Sequence, residues 1–326
     1  MTIRIHGKRE FCCIYSLRAE RNSPMKLLTY SLPGNPSAEL VGLYREADGR
    51  ILPLSQFGFC FSSMNDLIDH ITPAQMDSLR ALSCTAAPPQ DQDVSYSFDE
   101  ILKRAPIPRP KQDVICLGIN YAAHEEESAR YKKETYDRNR AYTVYFSKRV
   151  PETVADGAPI DAHADLTNRL DYEAELALVI GKTARNVKAE DAFDYVFGYT
   201  ILNDISAREL QTRHKQWYLG KGLDGFCPIG PWIATEDEFD RPPVLAIRSY
   251  VNDELRQDSH TGLLLAGIPR IIEELTSGMT LLPGTIISTG TPAGVGMGFD
   301  PPRFLKKGDI VRCEIDGIGS LTNRVE

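Results

Sequence analysis

The sequence predicts a mixed α/β fold, mostly β, with a small N-terminal α+β domain and its linker over residues 1–110 and a larger domain over 111–326. Three features carry this. Strand-like apolar runs recur at 113–119, 142–147, 170–180, 195–202, 244–252, 284–289 and 309–315, with few long helical patterns between them. Ala87-Pro88-Pro89-Gln90 and Pro106-Ile107-Pro108-Arg109-Pro110 punctuate a polar, proline-rich passage of linker character. The length of 326 residues suits one large domain plus a smaller one.

In chain order, residues 1–24 carry Arg4, Lys8, Arg9, Arg18 and Arg21 around a short apolar patch at Phe11 to Tyr15, without the apolar core of a secretory signal. Met25-Lys26-Leu27-Leu28-Thr29-Tyr30 looks like a natural strand-forming start, which makes the upstream piece an extension or an arm of its own. Short strands are expected over 25–60, with turns at Pro33-Gly34-Asn35-Pro36 and Ala47-Asp48-Gly49-Arg50, then one or two helices over 63–83. Val114 to Ile119 reads as a strand, and Asn120-Tyr121-Ala122-Ala123-His124 as a turn entering a helix that is charged as far as Arg140. No internal repeat or low-complexity tract stands out.

A formal charge of −8 and 42% hydrophobic residues argue against a nucleic-acid binder or a polybasic membrane surface. No apolar run approaches a membrane-spanning length. A globular cytoplasmic protein is expected. Its seven cysteines are scattered without a C-x-x-C pair, so neither a disulfide framework nor a structural zinc site is indicated; they are expected to be reduced and mostly buried.

The chemistry concentrates in Leu170 to Ile180, where Leu, Tyr, Ala, Leu, Leu and Ile alternate with Asp, Glu, Glu, Ala and Val as on a strand with one buried face. Glu173 and Glu175 then point the same way, roughly 6.5–7 Å apart at Cα. Such a pair is common on a solvated strand face and needs no metal. Asp204 shifts the balance, because it follows the apolar run 195–202 where that strand gives way to a helix, with Arg208 and Gln211 at i+4 and i+7 on the same helical face.

Other candidates are weaker taken singly. His124 and Glu127 lie three apart, within reach of each other on a helix, although so charged a stretch also suits a solvated helix. Lys221 sits in a glycine-rich turn beside Trp217 and Tyr218, a setting that suits a carboxylate or enolate oxygen. Residues 283–296 resemble an anion-cradling loop but match no nucleotide-binding motif, so no organic cofactor is expected. Asp161-Ala162-His163-Ala164-Asp165 has ligand-type residues at alternate positions, yet reads as a loop.

Taken together, several runs resemble the fumarylacetoacetate hydrolase family: Gly118 to His124, Leu170 to Leu176, Gly198 to Arg208, Pro228 to Trp232, Val251 to Glu254 and Thr289 to Gly296, in the family's order over about residues 112–326. The resemblance implies a mixed β-roll-like fold, a homodimer, and a metal held by Glu173, Glu175 and Asp204. It implies a catalytic dyad of His124 and Glu127 on a closing lid, and places Arg208, Gln211, Lys221, Thr291 and Lys148 at substrate-contacting or charge-stabilising positions. Gly222 follows Lys221 where many relatives have serine, and the segment 125–141 is long for a lid.

Three carboxylates and no nearby cysteine favour a hard cation, Mg²⁺ or Mn²⁺ before Zn²⁺, with Ca²⁺ as an alternative. Such an ion suits a small 2-oxo acid and the enolate formed when its neighbouring carbon–carbon bond breaks. The expected activity is metal-dependent hydrolysis of a carbon–carbon bond in acylpyruvate- or fumarylacetoacetate-type acids. The alternatives are an oxaloacetate decarboxylase, an isomerase or decarboxylase of dienedioates from aromatic degradation, or, in another class, a non-catalytic 2-oxo-acid or metal binder.

Overall fold

The structure is a computed structural model that describes residues 25–84, 94–132 and 142–326. The expectations for the arm at 1–24, for the linker stretch 87–90 and for the charged segment from 133 to 141 lie outside the described residues.

Strands β1 (Lys26–Leu32), β2 (Asn35–Arg45) and β3 (Arg50–Pro53) are joined at the two expected turns, the second closing on Gly49 at φ 69°, a left-handed conformation that glycine enters without steric cost. The stretch 63–83 forms α1 (Met64–His70) and α2 (Pro73–Cys84); the Ser63 side chain caps α1 by accepting from the Asp66 N–H. Next come β4 (Leu102–Lys103), β5 (Val114–Leu117), α3 (Ala122–Lys132), β6 (Tyr145–Lys148), β7 (Leu170–Asp171), β8 (Ala174–Ile180) and β9 (Val196–Asn203). Then follow β10 (Ser206–Ala207), α4 (Arg208–Arg213), α5 (Tyr218–Lys221), β11 (Ile229–Thr235), β12 (Ala246–Val251), β13 (Glu254–His260), α6 (Ile268–Gly278), β14 (Ile286–Ser288), β15 (Ile310–Ile315) and β16 (Gly319–Arg324).

A 10-stranded sheet runs β3-β2-β1-β11-β9-β8-β14-β5-β6, with β4 paired to β1. Its one parallel pairing among the described residues is β14 with β5. The boundary expected near residue 110 does not interrupt this sheet, because β1 pairs with β11, Lys26 opposite Ala234 and Leu27 opposite Ile233. A second sheet, β13-β12-β15-β16, covers one face of the first.

That covering decides the environment of β8. Leu176, Leu178 and Ile180 pack with Ile247, Cys313 and Ile315 of the second sheet, whereas Ala177 and Val179 pack on the other side with Leu27, Leu67, Ile68 and Val114. Each buried Leu or Ile contributes about 1.5–3 kcal/mol by leaving water. The expected single strand with one buried face is therefore corrected. The stretch is two strands, and every residue from 170 to 180 is buried. The alternation separates two cores, and the acidic positions lie on the second side at its open end.

Candidate active site

Strand register assembles the acids. In the antiparallel ladder of β8 and β9, Ala174 is opposite Asn203 and Glu175 opposite Leu202, and just beyond it the Asp204 N–H donates to the Glu173 carbonyl at 2.9 Å. Opposed residues share a face, so Glu173, Glu175 and Asp204 converge; a slip by one residue would scatter them. One oxygen from each lies within 4.8 Å of the others, and all three residues are buried.

Buried cations answer this charge. Lys221 Nζ donates to Glu173 Oε2 at 2.5 Å and to Asp204 Oδ2 at 2.6 Å. Lys148 Nζ donates to Asp204 Oδ1 at 2.7 Å and to the carbonyls of Ile205 and Lys221 at 3.0 and 2.6 Å. Arg208 Nη1 lies 2.7 Å from Glu173 Oε1 and donates to Gln211 Oε1 at 3.1 Å, while its Nε donates to Asp171 Oδ2 at 2.8 Å. Burial would raise the Glu173 carboxyl, but Lys221, Arg208 and His124 outweigh it and hold it well below the usual range. Glu175 goes the other way: burial, Asp204 and Glu173 all push it up. Buried Asp171, Glu173, Glu175 and Asp204 thus outnumber buried Lys148, Arg208 and Lys221.

A divalent cation fits this set, since it would relieve the crowding that raises Glu175 and meets only oxygen donors. The expectation that no cysteine is near needs correction. Cys116 is buried and feels Asp204 and Glu175, but burial first and those carboxylates second drive its thiol far up. Burial likewise pushes Cys227 up to about 12. Among the described residues only the carboxylates of Glu173, Glu175 and Asp204 gather at the site and no cysteine sulfur joins them, so the hard-cation preference stands. Added Mg²⁺ or Mn²⁺ should therefore raise the thermal unfolding midpoint, by the equivalent of about 2.7 kcal/mol at a hundredfold excess over Kd; no shift in a melting scan would count against the site.

His124 and Glu127 both lie on α3, as expected, with His124 Nδ1 3.3 Å from Glu127 Oε2. His124 lines one cavity with Glu173, Arg208, Gln211 and Lys221. The loop 283–296 does cradle anions, but they are the protein's own carboxylates. Ser288 Oγ and the Gly290 N–H donate to Glu175 at 2.5 and 2.9 Å, the Gly294 N–H donates to Glu127 Oε1 at 3.0 Å, and the Gly296 and Met297 N–H groups donate to Asp171 at 2.6 and 3.0 Å. The 3-10 turn over Gly296–Gly298 also leaves room for Glu127, because a Cβ on Gly298 would lie 1.7 Å from Glu127 Oε1.

Some expected placements change. Asp204 is not on the helix of Arg208 and Gln211; it precedes the short strand β10, and Arg208 opens α4. Lys221 ends the short helix α5 instead of lying within a turn. Thr291 donates to the Ala174 carbonyl and accepts from Gln257, which ties its loop to β8. Residues 161–165 are loop, with His163 Nε2 2.8 Å from the Asp224 carbonyl. Of the described cysteines, Cys116, Cys227 and Cys313 are buried and Cys60 and Cys84 exposed, all free. Sequence reasoning gave Asp171 no role, yet it anchors Arg208; its place in the 171, 173, 175 alternation was the available signal.

Residues 113–326 match the fumarylacetoacetate (FAA) hydrolase C-terminal family. The chain belongs to the fumarylacetoacetate hydrolase family. A relative named oxaloacetate tautomerase YisK, from Bacillus subtilis, is 43% identical over 248 residues, 76% of this chain and 81% of that protein. A solved fumarylacetoacetate hydrolase from psychrophilic Exiguobacterium antarcticum superposes with a TM-score of 0.76 at 38% identity, covering 93% of this chain and 99% of its own. A 2-hydroxyhepta-2,4-diene-1,7-dioate isomerase from Mycobacterium marinum does so with a TM-score of 0.65 at 31% identity, covering 92% and 98%. Hydrolase, isomerase and tautomerase names thus all occur among this family member's relatives. Among the described residues, no helix is long and apolar enough to cross a membrane.

Proposed function

We propose that this chain is a divalent-metal-dependent enzyme that moves a proton at the carbon beside the keto group of a 2-oxo acid, with oxaloacetate keto–enol tautomerisation as its reaction. The observation that carries the reading is His124, paired with Glu127, lining the same cavity as Glu173, Arg208, Gln211 and Lys221. The 43% identical relative named as an oxaloacetate tautomerase supports this over the hydrolysis that the residues alone suggest.

Glu173, Glu175 and Asp204 would hold Mg²⁺ or Mn²⁺, which lowers the cost of negative charge on a chelating substrate. In the keto-to-enol direction His124 takes the proton from carbon and the enolate oxygen takes one from solvent water. The protonated ring returns its proton to solvent, while Glu127 orients the ring. Arg208 and Gln211 hold the substrate carboxylate. Lys221 spends two of its three N–H donors on Glu173 and Asp204 and offers the third to the enolate oxygen. All three donors of Lys148 are committed, so its role is to fix Asp204. Thr291 acts by tying its loop to β8.

The test is purified protein with Mg²⁺ or Mn²⁺ and a panel of oxaloacetate, acylpyruvates, fumarylpyruvate and fumarylacetoacetate. Faster keto–enol exchange of oxaloacetate without its consumption is the expected result. Cleavage of an acylpyruvate instead would establish the hydrolase reading, for which the 38% identical solved fumarylacetoacetate hydrolase is the support. His124→Ala should lower turnover about 10²–10⁴-fold and keep oxalate binding. A wild type that binds oxalate yet turns over nothing would be a binder.

A further inference from the structure

Asp171 is fully buried beside the site, yet it is not one of the three acids that gather to hold a metal. It lies opposite Ser206 in the β7–β10 ladder, and beyond that ladder the Arg208 N–H donates to the Arg169 carbonyl at 3.1 Å, so strand register brings Asp171 and Arg208 together. Four donors converge on the carboxylate. Oδ2 accepts from Arg208 Nε at 2.8 Å and from the Met297 N–H at 3.0 Å, while Oδ1 accepts from the N–H groups of Gly296 at 2.6 Å and Tyr172 at 3.0 Å.

Two elements therefore meet at one side chain. The first is the arginine: Nη1 is committed to Glu173 and Gln211, Nε to Asp171, and Nη2 is buried without a partner among the described residues, on a residue that lines the inner cavity. Holding Nε fixes the plane of the guanidinium, and with it the direction of the donors left on Nη2. The second is the loop 294–298, whose Gly294 N–H donates to Glu127 Oε1 at 3.0 Å and whose Gly298 packs against the same side chain. Tyr172 reinforces the attachment, because its hydroxyl donates to the Gly294 carbonyl at 2.8 Å.

We propose that Asp171 is a positioning residue that sets two parts of the machinery at once: the arginine that receives the substrate carboxylate, and the loop that holds Glu127 beside His124. This rests on the enzymatic reading above. A neutral side chain of the same shape cannot serve both. In Asp171→Asn the single oxygen keeps at most two of the four donors, and the NH₂ group faces the others. The variant should still fold, because Arg208 stays paired with Glu173 and the buried carboxylates here outnumber the buried cations.

The experiment compares the wild type with Asp171→Asn, as full chains loaded with Mg²⁺. Oxalate affinity by calorimetry, exchange of the Gly294 amide, which Asp171 does not touch, and turnover of saturating oxaloacetate should each change by about tenfold, the effect of one charged hydrogen bond. Oxalate should bind more weakly, the amide exchange faster and turnover fall. Arg208→Lys should weaken oxalate without moving the amide, and Glu127→Gln should lower turnover without moving oxalate affinity; only Asp171→Asn should do both. Added to Arg208→Lys, it should cost little further oxalate affinity, whereas a merely structural role would add in full. If the amide variant does not fold, Asp171→Ser, whose smaller side chain leaves room for a water at the loop N–H groups, gives the same readings. Unchanged oxalate affinity, unchanged Gly294 exchange, or full additivity with Arg208→Lys would overturn the proposal. Failure of the enzymatic reading looks different: the wild type would turn over nothing, while affinity and exchange would still respond to Asp171.

Discussion

Glu175→Gln is expected to weaken Mg²⁺ or Mn²⁺ binding by more than about a hundredfold and to remove activity with it, while the metal-free protein stays at least as stable as the wild type. Burial, Asp204 and Glu173 all oppose ionisation of Glu175. A neutral amide of the same shape removes that opposition. Its oxygen can still accept from Ser288 Oγ and the Gly290 N–H, which both donate to one oxygen of the native carboxylate. Its NH₂ can donate to the neighbouring carboxylates. Glu173→Gln is a poorer probe, because Glu173 is shared by Lys221 and Arg208, and breaking a buried ion pair costs about 3–5 kcal/mol. Loss of metal there would be mixed with loss of fold. Metal titration and melting scans of the metal-free proteins read both quantities, and unchanged metal affinity in Glu175→Gln would remove the triad from the mechanism.

The triad was legible because strand periodicity is a local property. Residues 173 and 175 share a face on any strand, and Asp204 at the end of an apolar run is a position that open sheets use for ligands. What the alternation could not reveal is what lies opposite each face, since a second core and solvent leave the same pattern of small and apolar residues at 177 and 179. Strand β11 escaped because Gly230 and Pro231 interrupt it, and the ladder shifts register there. Strands β13 and β16, as ELRQDSH and GSLTNR, have too little apolar alternation to stand out; neighbours in the second sheet hold them. Helix α6 had a readable signal in Ile268, Ile271, Ile272 and Leu275, the spacing of one buried helical face. The roles of Lys148 and Thr291 depend on donor counting across residues far apart in sequence, which no local pattern encodes.

The second large effect is expected at a residue with no side chain. Gly298→Ala should lower turnover about 10²–10⁴-fold with metal affinity and melting temperature close to wild type. The added methyl would lie 1.7 Å from Glu127 Oε1, 1.9 Å from its Cδ and 2.3 Å from its Cγ, so Glu127 must leave. The clash runs from the carboxylate to Cγ but meets no backbone atom among those nearest, so the Glu127 side chain turns away from Cβ outward. The catalytic cost exceeds the structural one because Glu127 then gives up both His124 and the Gly294 N–H. A methyl at Gly294 would instead meet the Arg256 carbonyl at 2.0 Å on a backbone at φ 104°, so that substitution should disturb the fold. If Gly298 acts through Glu127, then Gly298→Ala added to Glu127→Gln should cost almost nothing further, a strongly non-additive cycle. Full additivity, or an active Gly298→Ala single variant, would mean that Glu127 does not work from the position packed against Gly298.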